Sequence, residues 1–321
     1  MKPTIFLHIG QPKTATTSAQ GFFKFHRETL LSQGVLYPEA WLQGEGHHSI
    51  GGAFSNGAID WIAQVDPQNM QNALDREIAQ TSPKSVLIST ESLFYASIDV
   101  PRLGDFFKDY DVEIIVSLRR QDEWTESALR DDYKTGAFTG TPEDYIKRVA
   151  ERLNYAKVLD DWAQVFGSHK LHVLTFEPRP GMTPPEHDLL KIAGIPEPEK
   201  IGIAPRLNDR LNQDSLAWLR ASPDALRISP AHFHTFDLLA MWSAKNPDRP
   251  EHINVLSPEL RRNIRAHFSE GNKSIARTYL DRDDSALFLH TAPISDVWAP
   301  YPGLPPERAA QIDQWLAHSP Y

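Results

Sequence analysis

A lysine set among small hydroxyl side chains is the first feature of this chain with obvious chemistry. In "FLHIGQPKTATTSAQGFF", residues 6–23, Lys13 is followed by Thr14, Thr16, Thr17 and Ser18, just after an apolar run. A loop leaving a buried strand and entering a helix presents unpaired backbone N–H groups and the positive end of the helix dipole, which together favour an anion. Lys13 adds a full charge, and the hydroxyls add donors. Charge-assisted hydrogen bonds are worth roughly 1.5–3 kcal/mol each, so several converging on one phosphate would hold a micromolar ligand. The spacing is not that of a Walker A loop, which needs glycine directly before its lysine and again five residues earlier. Those positions hold Pro12 and Leu7.

The elements that must position this loop are legible as period. "TIFLHI" (4–9), "SVLIST" (85–90), "VEIIVSL" (112–118) and "KLHVLTF" (170–176) are short and nearly continuous in apolar residues, as strands buried on both faces are. Helical patterns separate them. One starts near Thr16 with Ala19, Phe22, Phe23 and Leu30 on one face, and others cover "NMQNALDREIAQ" and "QDEWTESALRDDYK". A long one runs from Pro142 to its stop at Gly167. Alternating strands and helices predict an α/β fold with a mainly parallel sheet flanked by helices. Beyond about residue 200 only helical periods remain, in "NQDSLAWLRA", "PAHFHTFDLLAMWSA" and "SPELRRNIRAHFSEGNKSIARTYL". The expectation is one domain, with an α/β core over 1–200 and a helical C-terminal extension over 201–321.

Composition narrows the function classes. The chain has 321 residues, 40% apolar and 23% charged, as ordinary globular proteins do. No apolar run approaches the roughly 18 residues of a membrane span, and the N-terminus lacks a signal-peptide pattern. Cysteine is absent, which removes disulfides and thiol chemistry and fits a cytoplasmic location. The formal charge of −9 argues against nucleic acid as a partner but not against a small anion held by local cations.

"PKTATTS" resembles the 5′-phosphosulfate loop of sulfotransferases that use 3′-phosphoadenosine 5′-phosphosulfate (PAPS), whose usual form is Pro-Lys-Thr/Ser-Gly-Thr-Thr. That family has a second signature, an arginine ending a later strand and a serine eight residues on, both gripping the 3′-phosphate. In "VEIIVSLRRQDEWTESALR", Arg119 and Ser127 stand at that spacing. "LNYAKVLDDWAQVFGSHKLHVLTFE" and, less closely, "RLNDRLNQDSLAWLR" and "FSEGNKSIARTYL" resemble later parts of bacterial and carbohydrate sulfotransferases. One departure stands out: Ala15 occupies the place of the usual glycine. If the loop takes a positive φ there, alanine carries a conformational cost.

The resemblance implies a P-loop-like sulfotransferase fold, PAPS as co-substrate and a hydroxyl acceptor, with a saccharide or small molecule as the leaning. Lys13 would sit on the bridging oxygen of the donor. Thr14, Ala15, Thr16, Thr17 and Ser18 would hold the 5′-phosphate, and Arg119 and Ser127 the 3′-phosphate. A general base is also required, and three residues are candidates. His48 lies in the glycine-flanked "GEGHHSIGG", Glu91 directly follows the second apolar run, and Glu39 follows the first helix. No metal is required. "HFH" at 232–234 places two histidines at i, i+2, which diverge on a helix. The alternatives are a P-loop kinase or nucleotide hydrolase, which would need the missing glycine–lysine step, and an inactive nucleotide-binding protein of the same fold.

Overall fold

A computed structural model describes residues 2–57, 59, 62, 64–95, 97–202, 210–222, 230–282 and 286–318. Among these, five strands form one sheet: β1 (Thr4–His8), β2 (Val35–Leu36), β3 (Ser85–Ser89), β4 (Val112–Arg119) and β5 (Leu171–Phe176). Their order is β2-β3-β1-β4-β5 and every pairing is parallel. The chain leaves central β1 toward β2 on one side, returns to β3, then crosses to β4 and β5 on the other. The loop after β1 therefore sits where the strand order reverses, the place where open parallel sheets bind ligands.

The helices before β4 are α1 (Thr16–Phe25), α2 (Arg27–Ser32), α3 (Ser49–Phe54), α4 (Pro67–Thr81) and α5 (Val100–Phe106). After it come α6 (Gln121–Thr135), α7 (Pro142–Leu153), α8 (Tyr155–Phe166) and α9 (Pro185–Ile192). The C-terminal helices are α10 (Gln213–Ala221), α11 (Pro230–Lys245), α12 (Pro258–His267), α13 (Ser269–Leu280) and α14 (Pro306–His318). No helix among the described residues is long and apolar enough to cross a membrane.

The chain forms two compact units. The first comprises Met1–Arg120, Glu151–Leu207 and Phe268–His290, and the second Gln121–Ala150, Asn208–His267 and Thr291–Tyr321. α6 belongs with the C-terminal helices, whereas α13 places Ile275 and Ala276 in the core of the first unit.

In the first unit the two-residue alternation of strands sorts side chains between two layers. Ile5, Leu7, Val86, Ile88, Ile114, Val116, Leu171 and Val173 point to one face, against Leu103, Tyr155, Leu159 and Trp162. Leu87 and Ile115 point to the other, against Ala19, Phe22, Phe23 and Leu189. By the same alternation His8, Ser89, Ser117 and Arg119 fall on the second face, at the carboxyl ends of their strands and on the side of α1. In the second unit Leu211, Leu216, Leu219, Leu239, Trp242 and Ile312 make a helical core. The fully buried Asp122 there holds Arg261 at 2.8 Å and Arg265 at 3.0 Å.

Three expected helices are each divided. The helix begun near Thr16 stops at Phe25, and Leu30 lies in α2. The stretch from Pro142 to Gly167 is α7 and α8, broken at Asn154, whose side chain leaves the helix to accept from the Lys157 N–H at 3.3 Å. "SPELRR…TYL" is α12 and α13, parted at Phe268. Strand β2, two residues long, is too short to show a period.

Because α8 begins at the Asn154 cap, Asn154→Ala should lower stability by about 1 kcal/mol. Chemical denaturation measures this, and an unchanged midpoint would contradict it.

Candidate functional site

The turn after β1 is built from left-handed backbone. Gly10 has φ +90°, Lys13 +66° and Ala15 +61°. Gly10 meets its condition in two ways, because a Cβ added there would lie 2.8 Å from Cβ of Glu91. Ala15 does take the positive φ that a glycine would take without penalty, at a cost of about 1 kcal/mol. Alternation of this kind gathers successive backbone N–H groups into an anion-binding concavity.

Ala15 is also the N-cap of α1, and its methyl group cannot accept a hydrogen bond. The first turn of α1 closes with the Ala19 N–H on the Ala15 carbonyl, so the amides of Thr16, Thr17 and Ser18 precede the helical ladder. Lys13 and Ser18 are half-buried and Thr17 is exposed, whereas Thr14 and Thr16 are buried. The Thr14 hydroxyl donates to the Gln11 carbonyl at 2.6 Å. That bond braces the loop.

Arg119, at the end of β4, is joined to this loop. Its Nη1 donates to the Lys13 carbonyl at 3.2 Å, and its guanidinium lies 5.7 Å from the Phe176 ring centre. Its backbone N–H donates to Gln11 Oε1 at 3.2 Å. Gln11 Nε2 donates to the Tyr155 hydroxyl at 2.8 Å, and that hydroxyl donates to the Arg119 carbonyl at 2.7 Å. Two backbone bonds extend the β1–β4 pairing into the loop, Ser117 N–H to Gly10 and Gln11 N–H to Ser117. The two stretches that stand a hundred residues apart in sequence are thus brought together at Lys13 and Arg119. Ser127 lies on α6, half-buried, in the second unit.

Behind Gly10 stands a second polar group. Glu91 opens a short 3₁₀ turn after β3, and its Oε2 accepts from Gln20 Nε2 of α1 at 2.8 Å. His48 Nδ1 lies 3.0 Å from Thr90 Oγ1 and 3.9 Å from Glu91 Oε2. Burial lowers the His48 pKa, and the Glu91 carboxylate opposes that shift. Gly46 leaves space for the ring, since a Cβ there would fall 2.7 Å from His48 Nε2.

The adjacent His47 is different in kind. The Pro38 carbonyl can only accept and the Ser89 N–H can only donate, so Nε2 carries the proton and Nδ1 receives one. Burial holds its pKa down at about 4. His8, fully buried, bonds Ser89 Oγ through Nδ1 at 2.8 Å, and burial holds it down at about 3. Both are neutral structural imidazoles near neutral pH.

Glu39 stands apart from this group. It is exposed and paired with Arg27, which lowers its pKa through a hydrogen bond and its charge. Its backbone N–H is held by Glu77 at 2.9 Å. Gln11, Tyr155 and Gln20 carry bonds that sequence reasoning did not anticipate. Gln11 adjoins the Pro-Lys step of the loop, which was a signal of place but not of partner, and Tyr155 carried no signal at all. Of the histidines of "HFH", His234 is exposed and the side chain of His232 lies outside the described residues. Among the described residues no group of three His, Asp or Glu is placed to hold a metal ion.

No family model matches this chain, and no curated protein sequence matches it. Among solved structures, a sulfotransferase from Alicyclobacillus acidocaldarius is similar to it. The two are 18% identical over 73% of this chain and 96% of that one, with a TM-score of 0.39.

Two stability measurements follow from this geometry. At Ala15, glycine removes a left-handed cost that its own unfolded-state freedom partly offsets, so Ala15→Gly should leave stability within about 1 kcal/mol of the parent. Ala15→Val places a β-branched side chain at positive φ and should cost about 1–3 kcal/mol; equal effects of the two would contradict the backbone assignment. The second concerns pH. Unfolded imidazoles bind protons near 6.5, but His47 and His8 resist protonation until about 4 and about 3. The unfolded state thus binds more protons in between, and stability falls as pH drops below 6.5 by about 1.4 kcal/mol per pH unit per histidine. His47→Gln should make that fall shallower in denaturation series from pH 7 to 4, and an unchanged slope would contradict it.

Proposed function

We propose that the first unit binds a PAPS-type donor and transfers its sulfuryl group to an acceptor hydroxyl. The observation that carries this reading is the bond from the Arg119 guanidinium to the Lys13 carbonyl, which supports one binding place for two phosphates. The position of the loop, beyond β1 where the strand order reverses, supports it further.

The donor supplies a sulfuryl group joined to a phosphate that can leave. Lys13 neutralises the charge that gathers on that phosphate. The amides of Ala15, Thr16, Thr17 and Ser18 hold its oxygens, assisted by the hydroxyls of Thr17 and Ser18. Fixed donors of this kind need no reorganisation as charge develops. Arg119 holds the 3′-phosphate.

Glu91 is assigned as the base. It leaves β3 at the carboxyl edge of the sheet, its Cβ lies against Gly10, and Gln20 fixes one of its oxygens. His48 adjoins it, with Nδ1 3.9 Å from its Oε2. Glu39, committed to Arg27 at the surface, has no such position. The acceptor is taken to be a saccharide or small alcohol. Among the C-terminal tryptophans, the indole N–H groups of Trp218, Trp298 and Trp315 donate inside the second unit, to Asp313, Asn254 and Leu238.

The test is acceptor-dependent release of adenosine 3′,5′-bisphosphate from PAPS over a panel of hydroxyl acceptors. Glu91→Gln should lower kcat by about 10²–10⁴ with donor binding kept. Lys13→Ala should weaken donor binding about 10–100-fold. No release with any acceptor would overturn the reading, and a larger kcat loss in His48→Gln than in Glu91→Gln would move the base to His48.

A further inference from the structure

Three hydrogen bonds close a ring between the phosphate loop and the strand end. The Arg119 N–H donates to Gln11 Oε1, Gln11 Nε2 to the Tyr155 hydroxyl, and that hydroxyl to the Arg119 carbonyl. Gln11 is 0% exposed and Tyr155 1%, so none of these bonds is readily exchanged for water. The rest of Gln11 is equally engaged. Its N–H donates to the Ser117 carbonyl and its own carbonyl accepts from Thr14. The Tyr155 ring packs in the apolar core, 6.2 Å from Phe94, and this would hold it in place even without its hydroxyl.

The ring fixes the main chain on both sides of the proposed site. On one side is the loop with Lys13, and on the other Arg119. In a nucleotide bearing phosphates at both ends of its ribose, covalent structure sets the separation of those phosphates. A protein that grips both gains most when its two grips are held at that separation beforehand, because no ordering cost falls on binding.

Resting on the donor site proposed above, we propose that Gln11 and Tyr155 are positioning residues that fix the spacing between the Lys13 loop and Arg119, and thereby select a 3′,5′-bisphosphorylated nucleotide over one with a single phosphate. Neither residue touches the nucleotide in this account. Tyr155→Phe keeps the ring and removes two bonds at once. It leaves the Gln11 amide and the Arg119 carbonyl free to shift against each other.

Calorimetric titration with adenosine 3′,5′-bisphosphate, adenosine 5′-monophosphate and adenosine 3′-monophosphate tests this on the full chain. The parent should prefer the bisphosphate by about tenfold or more over either monophosphate. Absence of that preference removes the donor-site reading, and this proposal with it. Where the preference is present, Tyr155→Phe should shrink it by about tenfold while each monophosphate stays within about threefold of the parent. A role in stability alone would lower the melting temperature and leave the preference intact. That result, or an equal loss for all three nucleotides, overturns the proposal. Gln11→Met, which keeps length and removes the bonds to Tyr155 and to the Arg119 N–H, should repeat the Tyr155→Phe pattern and serves if that variant does not fold.

Discussion

One buried hydroxyl, that of Tyr155, ties the end of β4 to the loop that leaves β1. It accepts from Gln11 and donates to Arg119, and Gln11 in turn accepts from the Arg119 amide. Buried polar groups are stable only when partnered, and a closed set of partners admits few arrangements. Much of the remaining geometry follows from this one. The Lys13 carbonyl takes the Arg119 guanidinium, the Gln11 carbonyl takes the Thr14 hydroxyl, and the left-handed turns at Lys13 and Ala15 are held between them.

Charge is distributed on the same frame. The chain carries a formal charge of −9, yet the loop and strand end bring Lys13 and Arg119 side by side. The amino end of α1 adds its partial positive charge. The histidines packed close by add none: His8 and His47 are kept neutral by burial, and their ring nitrogens serve Ser89 and Pro38. Glu91 and His48 form a separate polar group, where Gln20 and Thr90 supply hydrogen bonds and Gly10 and Gly46 supply the space.

Much of the fold was legible because it rests on period. Four strands show as short apolar runs, and their parallel sheet follows from the helices between them. What failed was local. Asn154 interrupts a sequence whose helical period runs straight through it, because its side chain caps Lys157 and begins a new helix. α13 places Ile275 in the first core, a contact that no local pattern encodes. For the candidate site, Lys13 and Arg119 were visible as charge at strand ends, whereas a positive φ at position 15 was only a condition raised by the glycine usual there, and the backbone takes it. Tyr155 and Gln11 were not, since their roles depend on a meeting of side chains 144 residues apart. Of the three carboxylate and imidazole candidates for the base, sequence alone offered no way to see that Glu39 is committed to Arg27.

In this reading the Lys13 loop and Arg119 make one site for a nucleotide with two separated phosphates. Isothermal calorimetry of the intact protein with adenosine 3′,5′-bisphosphate in the presence of EDTA, set beside ATP with magnesium, tests it most directly. The bisphosphate should bind at micromolar or tighter affinity without metal, and ATP much more weakly. Tight magnesium-dependent binding of ATP, with none of the bisphosphate, would contradict it.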